Sequence, residues 1–258
     1  MKYSSKISIV INTYNEEKNL QMCLDHLKDY DEIVVCDMES TDSTLQIAER
    51  NGCKIVVFPR GDKHYCEAAR DFAIHSASND WVFVVDADEV VPESMTEHVH
   101  NLVANADSDV SAYLVPRMNY TFGAFAKNTY PDYQLRIMRR SKAYWPPVIH
   151  VRPNIDGKIL RIEKSYNYSL IHANEDVCQA VNKMNGYTNF MVEKYSSKVS
   201  WLKIFFIPQY VFFRYYILKG GFTEGRLGLI SSIMKAVYKF ILLAKRYERE
   251  QTAARNSQ

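Results

Sequence analysis

The chain has no Gly-x-Gly-x-x-Gly run and no Gly-x-x-x-x-Gly-Lys-Ser/Thr loop, so it lacks the phosphate cradles of dinucleotide dehydrogenases and P-loop enzymes. Its five cysteines (Cys23, Cys36, Cys53, Cys66, Cys178) have no Cys-x-x-Cys spacing, and several lie in apolar segments. Buried thiols in a reducing compartment are therefore expected rather than disulfides or zinc. The formal net charge of +2 over 258 residues gives no support to a nucleic-acid partner. The opening MKYSSKISIV is too short and too soon structured for a secretory signal. No uncharged apolar run reaches ~18 residues, so a spanning helix is not expected. Internal repeats and low-complexity tracts are absent, apart from a polar tail at Thr252–Gln258 that is expected to fray.

What is present is an alternation of strand and helix patterns over the first hundred residues. Strands are expected at Ile7–Ile11, Glu32–Cys36, Lys54–Phe58 and Trp81–Val85, with helices at about Lys18–Leu27, after the N-cap residues Ser40-Thr41-Asp42-Ser43 as far as about Asn51, and at Glu67–Ser76. Gly52 suits the residue just past a helix end, where a left-handed backbone is needed. This β-α-β order predicts an α/β fold on a mostly parallel central sheet flanked by helices. From Ser111 to Lys164 the pattern changes to strands such as Ala112–Pro116 and Gln134–Arg139 between aromatic, Pro-containing loops. Beyond Asp176 it becomes helical, over Asp176–Tyr195, Trp201–Lys219 and Leu227–Arg249. The expected organisation is an α/β domain over 1–175 in two parts (1–110 and 111–175), then a helical region at 176–258.

Three strand ends carry polar clusters: Thr13-Tyr14-Asn15-Glu16, Asp37-x-Glu39-Ser40-Thr41-Asp42, and Asp86-Ala87-Asp88-Glu89. A parallel sheet brings such ends to one edge, where ligands of open α/β sheets bind. One cluster alone would be ordinary helix capping. Three in order, the last an Asp-x-Asp after five apolar residues, point to one ligand. Carboxylates so close repel unless they share a cation or proton. A hard divalent ion bridging to a diphosphate satisfies them.

With these motifs the chain resembles glycosyltransferase family 2, the inverting GT-A group, and within it small bacterial lipopolysaccharide-core glycosyltransferases. The resemblance rests on Ser8 to Glu17, Val34 to Asp37 with Ser40 to Thr44, Ala69-Arg70-Asp71, Trp81 to Glu89, Pro131 to Arg136, and Lys219-Gly220-Gly221-Phe222. It implies a nucleotide-sugar donor, with Asp37 on the nucleobase, Thr13, Tyr14 and Glu16 beside it, and Arg70 toward the ribose or phosphates. It also implies Mg²⁺ or Mn²⁺ at Asp86 and Asp88, with His172 able to approach the metal or diphosphate. Inversion needs a base for the acceptor hydroxyl, and the resemblance assigns Asp132, although Pro131 stands where the family usually has Glu. A second frame, Trp145 to Val151, keeps His150 but has Val151 in place of an acid. His98 and His100, in a helix without a matching acid, are expected at the surface.

The aromatic block Ile204–Phe213, with Lys203 before it and Arg214 and Lys219 after it, suits a helix lying in the interface of an anionic leaflet. Ordinary packing, or a second copy of the chain in a homo-oligomer, is the alternative. The sequence thus leads to a cytoplasmic enzyme, peripheral on the inner face of the cell membrane. It would move a sugar, as UDP-hexose, to lipopolysaccharide core or another glycolipid. The rival readings are a capsule, teichoic acid or protein acceptor, or a catalytically impaired nucleotide-sugar-binding protein.

Overall fold

The computed structural model describes residues 3, 5–61, 66–147, 151–193 and 198–256, with side chains at all of these except 173–175 and 256. The chain divides into two compact units, residues 1–118 with 130–173 and residues 119–129 with 174–258. Along the sequence, β1 (Ile7–Thr13), α1 (Leu20–Asp25), β2 (Glu32–Asp37), α2 (Thr44–Arg50), β3 (Lys54–Val57), α3 (Glu67–His75) and β4 (Trp81–Val84) alternate. Then come β5 (Glu89–Val90), α4 (Glu93–Ala104), β6 (Val110–Val115), β7 (Arg117–Thr121), β8 (Ala124–Phe125) and β9 (Gln134–Arg139). The short strands β10 (Ala143–Tyr144), β11 (Asn154–Ile155), β12 (Lys158–Arg161) and β13 (Leu170–Glu175) precede α5 (Val177–Glu193), α6 (Trp201–Phe213) and α7 (Gly225–Asn256).

In the first unit a seven-stranded sheet has the order β12-β6-β9-β4-β1-β2-β3. β1, β2, β3 and β4 are parallel, with Thr13 opposite Asp37. β9 enters antiparallel between β4 and β6, with Phe83 opposite Ile137 and Val115 opposite Gln134. That reversal brings the start of β9 to the edge where β1, β2 and β4 end. Residues on β1 alternate between two cores, as a period of two requires. Ile7, Ile9 and Ile11 pack with Leu20, Leu24, Phe83, Met95 and Val99. Val10 packs on the other face with Val34, Ala69, Ile74, Val84 and Met138.

Several boundaries differ from expectation. α2 starts at Thr44 directly after the expected N-cap run Ser40–Ser43, with Ser43 at the N-cap position, because Ser40 and Thr41 bond to Asp37 and Asn15 instead. The helix expected over Lys18–Leu27 is regular only at Leu20–Asp25. Gly52 holds φ +69°, and its N–H meets the carbonyl of Glu49 while that of Cys53 meets Ala48, the six-to-one and five-to-two closure of a helix end. The cysteines are free; Cys23 and Cys36 are buried, while Cys178 is exposed. His100 is not a surface residue: it is 2% exposed, stacked between Tyr3 and Tyr30. His98 is half-buried against the Tyr168 ring.

In the second unit α6 continues into a π-helical turn at Arg214–Leu218, and Pro208 lies inside α6 without ending it. Gly228 lies against the Gly221 backbone, where a Cβ would fall 1.8 Å from the Gly221 carbonyl oxygen. The tail expected to fray is helical as far as Asn256. By length and composition alone, the stretch Gly221–Arg255 is long and apolar enough to cross a membrane. The expectation of no such segment came from counting uncharged runs, which Lys235 and Lys239 interrupt, yet lysine stems themselves lie along apolar surface.

Candidate active site at the carboxyl edge of the sheet

Asp37 ends β2 with no exposure. Its carboxylate accepts from the Thr13 hydroxyl at 3.2 Å, and from the Ser40 amide and hydroxyl at 2.9 and 2.5 Å. The loop after β1 is fastened to the loop after β2. Asn15, at φ +55°, donates its amide to Ser40 Oγ and accepts from the Thr41 amide. Glu16 donates its amide to Thr44 Oγ1 and accepts from Asn19 through its carboxylate. Tyr14 carries the Arg60 guanidinium 3.4 Å from its ring centre. The first two polar clusters therefore form one rigid rim, with Thr13 touching Asp37, while Tyr14 and Glu16 are held by other partners.

The third cluster is organised by arginines. Asp86 receives Arg70 Nη2 at 2.7 Å on one oxygen and Arg136 Nη2 on the other. Burial opposes ionisation of Asp86, but the charges of Arg136 and then Arg70 hold its carboxyl well below the usual carboxylate range. Arg70 also lies over the Trp145 ring, 4.9 Å from its centre, and Trp145 is anchored by its amide to Asp71. Glu89, fully buried, accepts from Arg136 at 2.8 Å, from Arg117 at 3.0 Å and from the Asp86 amide at 3.0 Å. Arg117 reaches on to Asp132 Oδ2 at 2.7 and 3.1 Å, and Gln134 donates to Asp132 Oδ1 at 2.8 Å.

Asp88 projects elsewhere and meets His172 Nε2 at 3.2 Å. His172 is opposite Glu89 because β13 pairs antiparallel with β5. Burial disfavours the imidazolium, yet the Asp88 hydrogen bond and charge raise the His172 pKa above its ordinary value. Among the described residues no three His, Cys, Asp or Glu side chains form a ready-made metal cage. The donor set nonetheless fits a hard divalent ion, which is commonly held by one or two protein ligands plus substrate phosphates. Asp88 and His172 could supply those two ligands, whereas Asp86 would first have to release an arginine.

The structure thus joins Thr13 with Asp37, Arg70 with Asp86, and Asp88 with His172, and it brings Asp132 to the same sheet edge. His150 lies outside the described residues. Sequence reading missed Arg117 and the three-way anchoring of Glu89. Arg136 stood within the quoted Pro131–Arg136 frame, but Arg117 had no local signal.

A model of glycosyl transferase family 2 matches residues 8–156. The lipopolysaccharide core biosynthesis glycosyltransferase LpsC of Rhizobium meliloti is 28% identical over 260 residues, covering 96% of this chain and 94% of that protein. An uncharacterized glycosyltransferase of Rickettsia conorii is 27% identical, covering 94% and 90%. Among solved structures, a mannosyltransferase from Pyrobaculum calidifontis, in complex with GDP-Man and Mn²⁺, superposes with a TM-score of 0.53 at 14% identity, covering 95% of this chain and 88% of that one. The α/β fold, mostly parallel with helices on both faces, is the GT-A fold expected from the sequence. With its family model spanning the strand ends that carry Asp37, Asp86 and Asp88, the chain belongs to glycosyl transferase family 2 and is a glycosyltransferase.

Proposed function

We propose that this enzyme moves a hexose from UDP to a lipopolysaccharide-core or related glycolipid acceptor, with inversion at the anomeric carbon. The observation that carries the reading is the common sheet edge of Asp37, the Asp86–Asp88 turn and Asp132, since β9 runs antiparallel beside β4. Asp37, with Thr13, Tyr14 and Glu16 beside it, receives the nucleobase. Arg70 and Asp86 face the ribose and phosphates. Asp88 and His172 would hold Mg²⁺ or Mn²⁺, which when bound supplies charge neutralisation for the departing diphosphate. Asp132 takes the proton from the acceptor hydroxyl as that oxygen attacks the anomeric carbon from the face opposite the nucleotide.

In this reading residues 1–110 handle the nucleotide, 111–175 face the acceptor and 176–258 meet the membrane. The second unit supports the last assignment. Trp201, Phe205 and Tyr210 are 73%, 56% and 58% exposed, and Trp201 and Phe205 border a groove of about 570 Å³ between α6 and α7. Between Lys198 and Tyr247 nine Lys and Arg face the single acid Glu224 in the sequence, a balance suited to an anionic inner leaflet. The LpsC relative, named for lipopolysaccharide core biosynthesis, supports the acceptor class.

The test is a thermal-shift panel of UDP-glucose, UDP-galactose, UDP-N-acetylglucosamine and GDP-mannose with and without Mn²⁺, followed by transfer to truncated lipopolysaccharide. A ligand at a hundred times its Kd adds about 2.7 kcal/mol to stability. Stabilisation by a UDP-sugar, greatest with Mn²⁺, is expected. No stabilisation by any nucleotide sugar contradicts the donor assignment.

A further inference from the structure

Six side chains form a line of alternating charge at the sheet edge: Arg70, Asp86, Arg136, Glu89, Arg117 and Asp132, each ion-paired with the next. The two middle members, Arg136 and Glu89, are 5% and 0% exposed, so the line is anchored in the interior and opens to solvent at Asp132, 30% exposed. We infer that Arg117 is a positioning residue that fixes the Asp132 carboxylate from the buried Glu89, and so ties the base to the donor side of the site. This rests on Asp132 being the base.

Three features set Arg117 apart from a surface charge that neutralises a neighbour. Its backbone exchanges both hydrogen bonds with Asp132, at 3.1 and 3.3 Å, which locks the two residues opposite each other. Its Nε and Nη2 both donate to the same oxygen, Asp132 Oδ2, while Nη1 is held by Glu89. A planar guanidinium gripped at both ends has little freedom to turn. Gln134 takes the other oxygen. With Arg117 on one oxygen and Gln134 on the other, the direction in which the base points is fixed. A misplacement of about 1 Å in such a group can cost 10²-fold in rate.

The experiment is a double-mutant cycle on transfer to truncated lipopolysaccharide, with the panel nucleotide sugar that the wild type turns over. Donor Kd is measured by calorimetry and folding by thermal midpoint. Arg117→Gln is expected to slow kcat by roughly 30-fold or more, toward the range seen for loss of a general base, with donor Kd unchanged within about two-fold. The double variant Arg117→Gln, Asp132→Asn is expected to be no slower than Asp132→Asn alone, because Arg117 acts through Asp132. Losses that multiply, or a loss confined to donor affinity, overturn the inference. Normal transfer by Asp132→Asn overturns the base reading and the inference with it, whereas an impaired Asp132→Asn beside a normal Arg117→Gln sinks the inference alone. A wild type that turns over no sugar in the panel removes the reading on which both rest. If Arg117→Gln does not fold, Arg117→Lys decides: an ammonium cannot fork onto both carboxylates, so reduced kcat at unchanged donor Kd is expected, and wild-type kcat refutes the role.

Discussion

Glu89 Oε1 lies 2.8 Å from Arg136 Nη2, with the two side chains 0% and 5% exposed. Removing one member of a buried, hydrogen-bonded pair leaves the other charge uncompensated, at a typical cost of about 3–5 kcal/mol. Glu89→Ala strips Arg136 of one acceptor, Arg117 of another and the Asp86 amide of its partner. The expected result is a loss of that size in urea-unfolding free energy. Glu89→Gln, which keeps the shape and an acceptor, should lose less.

Asp37 is held by the Thr13 hydroxyl and by the Ser40 amide and hydroxyl. In the proposed role its carboxylate meets a nucleobase N–H. Asp37→Asn preserves an acceptor for Ser40 but loses the charge, and a hydrogen bond to a charged group is worth about 1.5–3 kcal/mol. UDP binding by calorimetry is expected to weaken by roughly 10- to 100-fold on that basis, with the thermal midpoint of the unliganded protein little changed.

The Asp88–His172 contact leads to a separate expectation. If these two hold the cation, UDP affinity measured in Mn²⁺ and in EDTA should differ widely for the wild type. Asp88→Asn should bring the two values together, and His172→Asn should narrow the gap by roughly 10-fold, as loss of a metal-site group typically does. A gap that persists in both variants would mean that the metal sits elsewhere.

The N-terminal half was legible because its signals are local. Buried runs such as Trp81–Val84 and the turn residues after them sit within ten positions of one another, and β9 has the bounds read from the sequence, Gln134–Arg139. What stayed hidden depends on distant partners. Nothing near Arg117 announces Glu89 or Asp132, which are 28 and 15 residues away. The run Ser40–Ser43 announced the start of α2, but not which of its members stands at the cap, because Ser40 and Thr41 bond to Asp37 and Asn15 and leave Ser43 there. The two-residue β5 gains its meaning only from pairing with β13. His100 looked exposed because its stacking partners Tyr3 and Tyr30 lie far away in the chain.

For the second unit, co-sedimentation with phosphatidylglycerol vesicles tests the exposed face of α6. Each basic group near an anionic surface adds about 1 kcal/mol, so Lys203→Glu with Lys219→Glu should weaken partitioning by more than roughly 10-fold, and added salt should do the same. Trp201→Asp and Phe205→Asp should reduce binding at every salt concentration. Equal partitioning of all variants would assign the apolar groove to another partner.

The most direct test of the account is the single-turnover rate of sugar transfer by Asp132→Asn at saturating donor. An amide keeps the shape and the Arg117 and Gln134 neighbours but takes no proton. The account predicts transfer slower by about 10²- to 10⁴-fold with donor affinity retained. Transfer at the wild-type rate would contradict it.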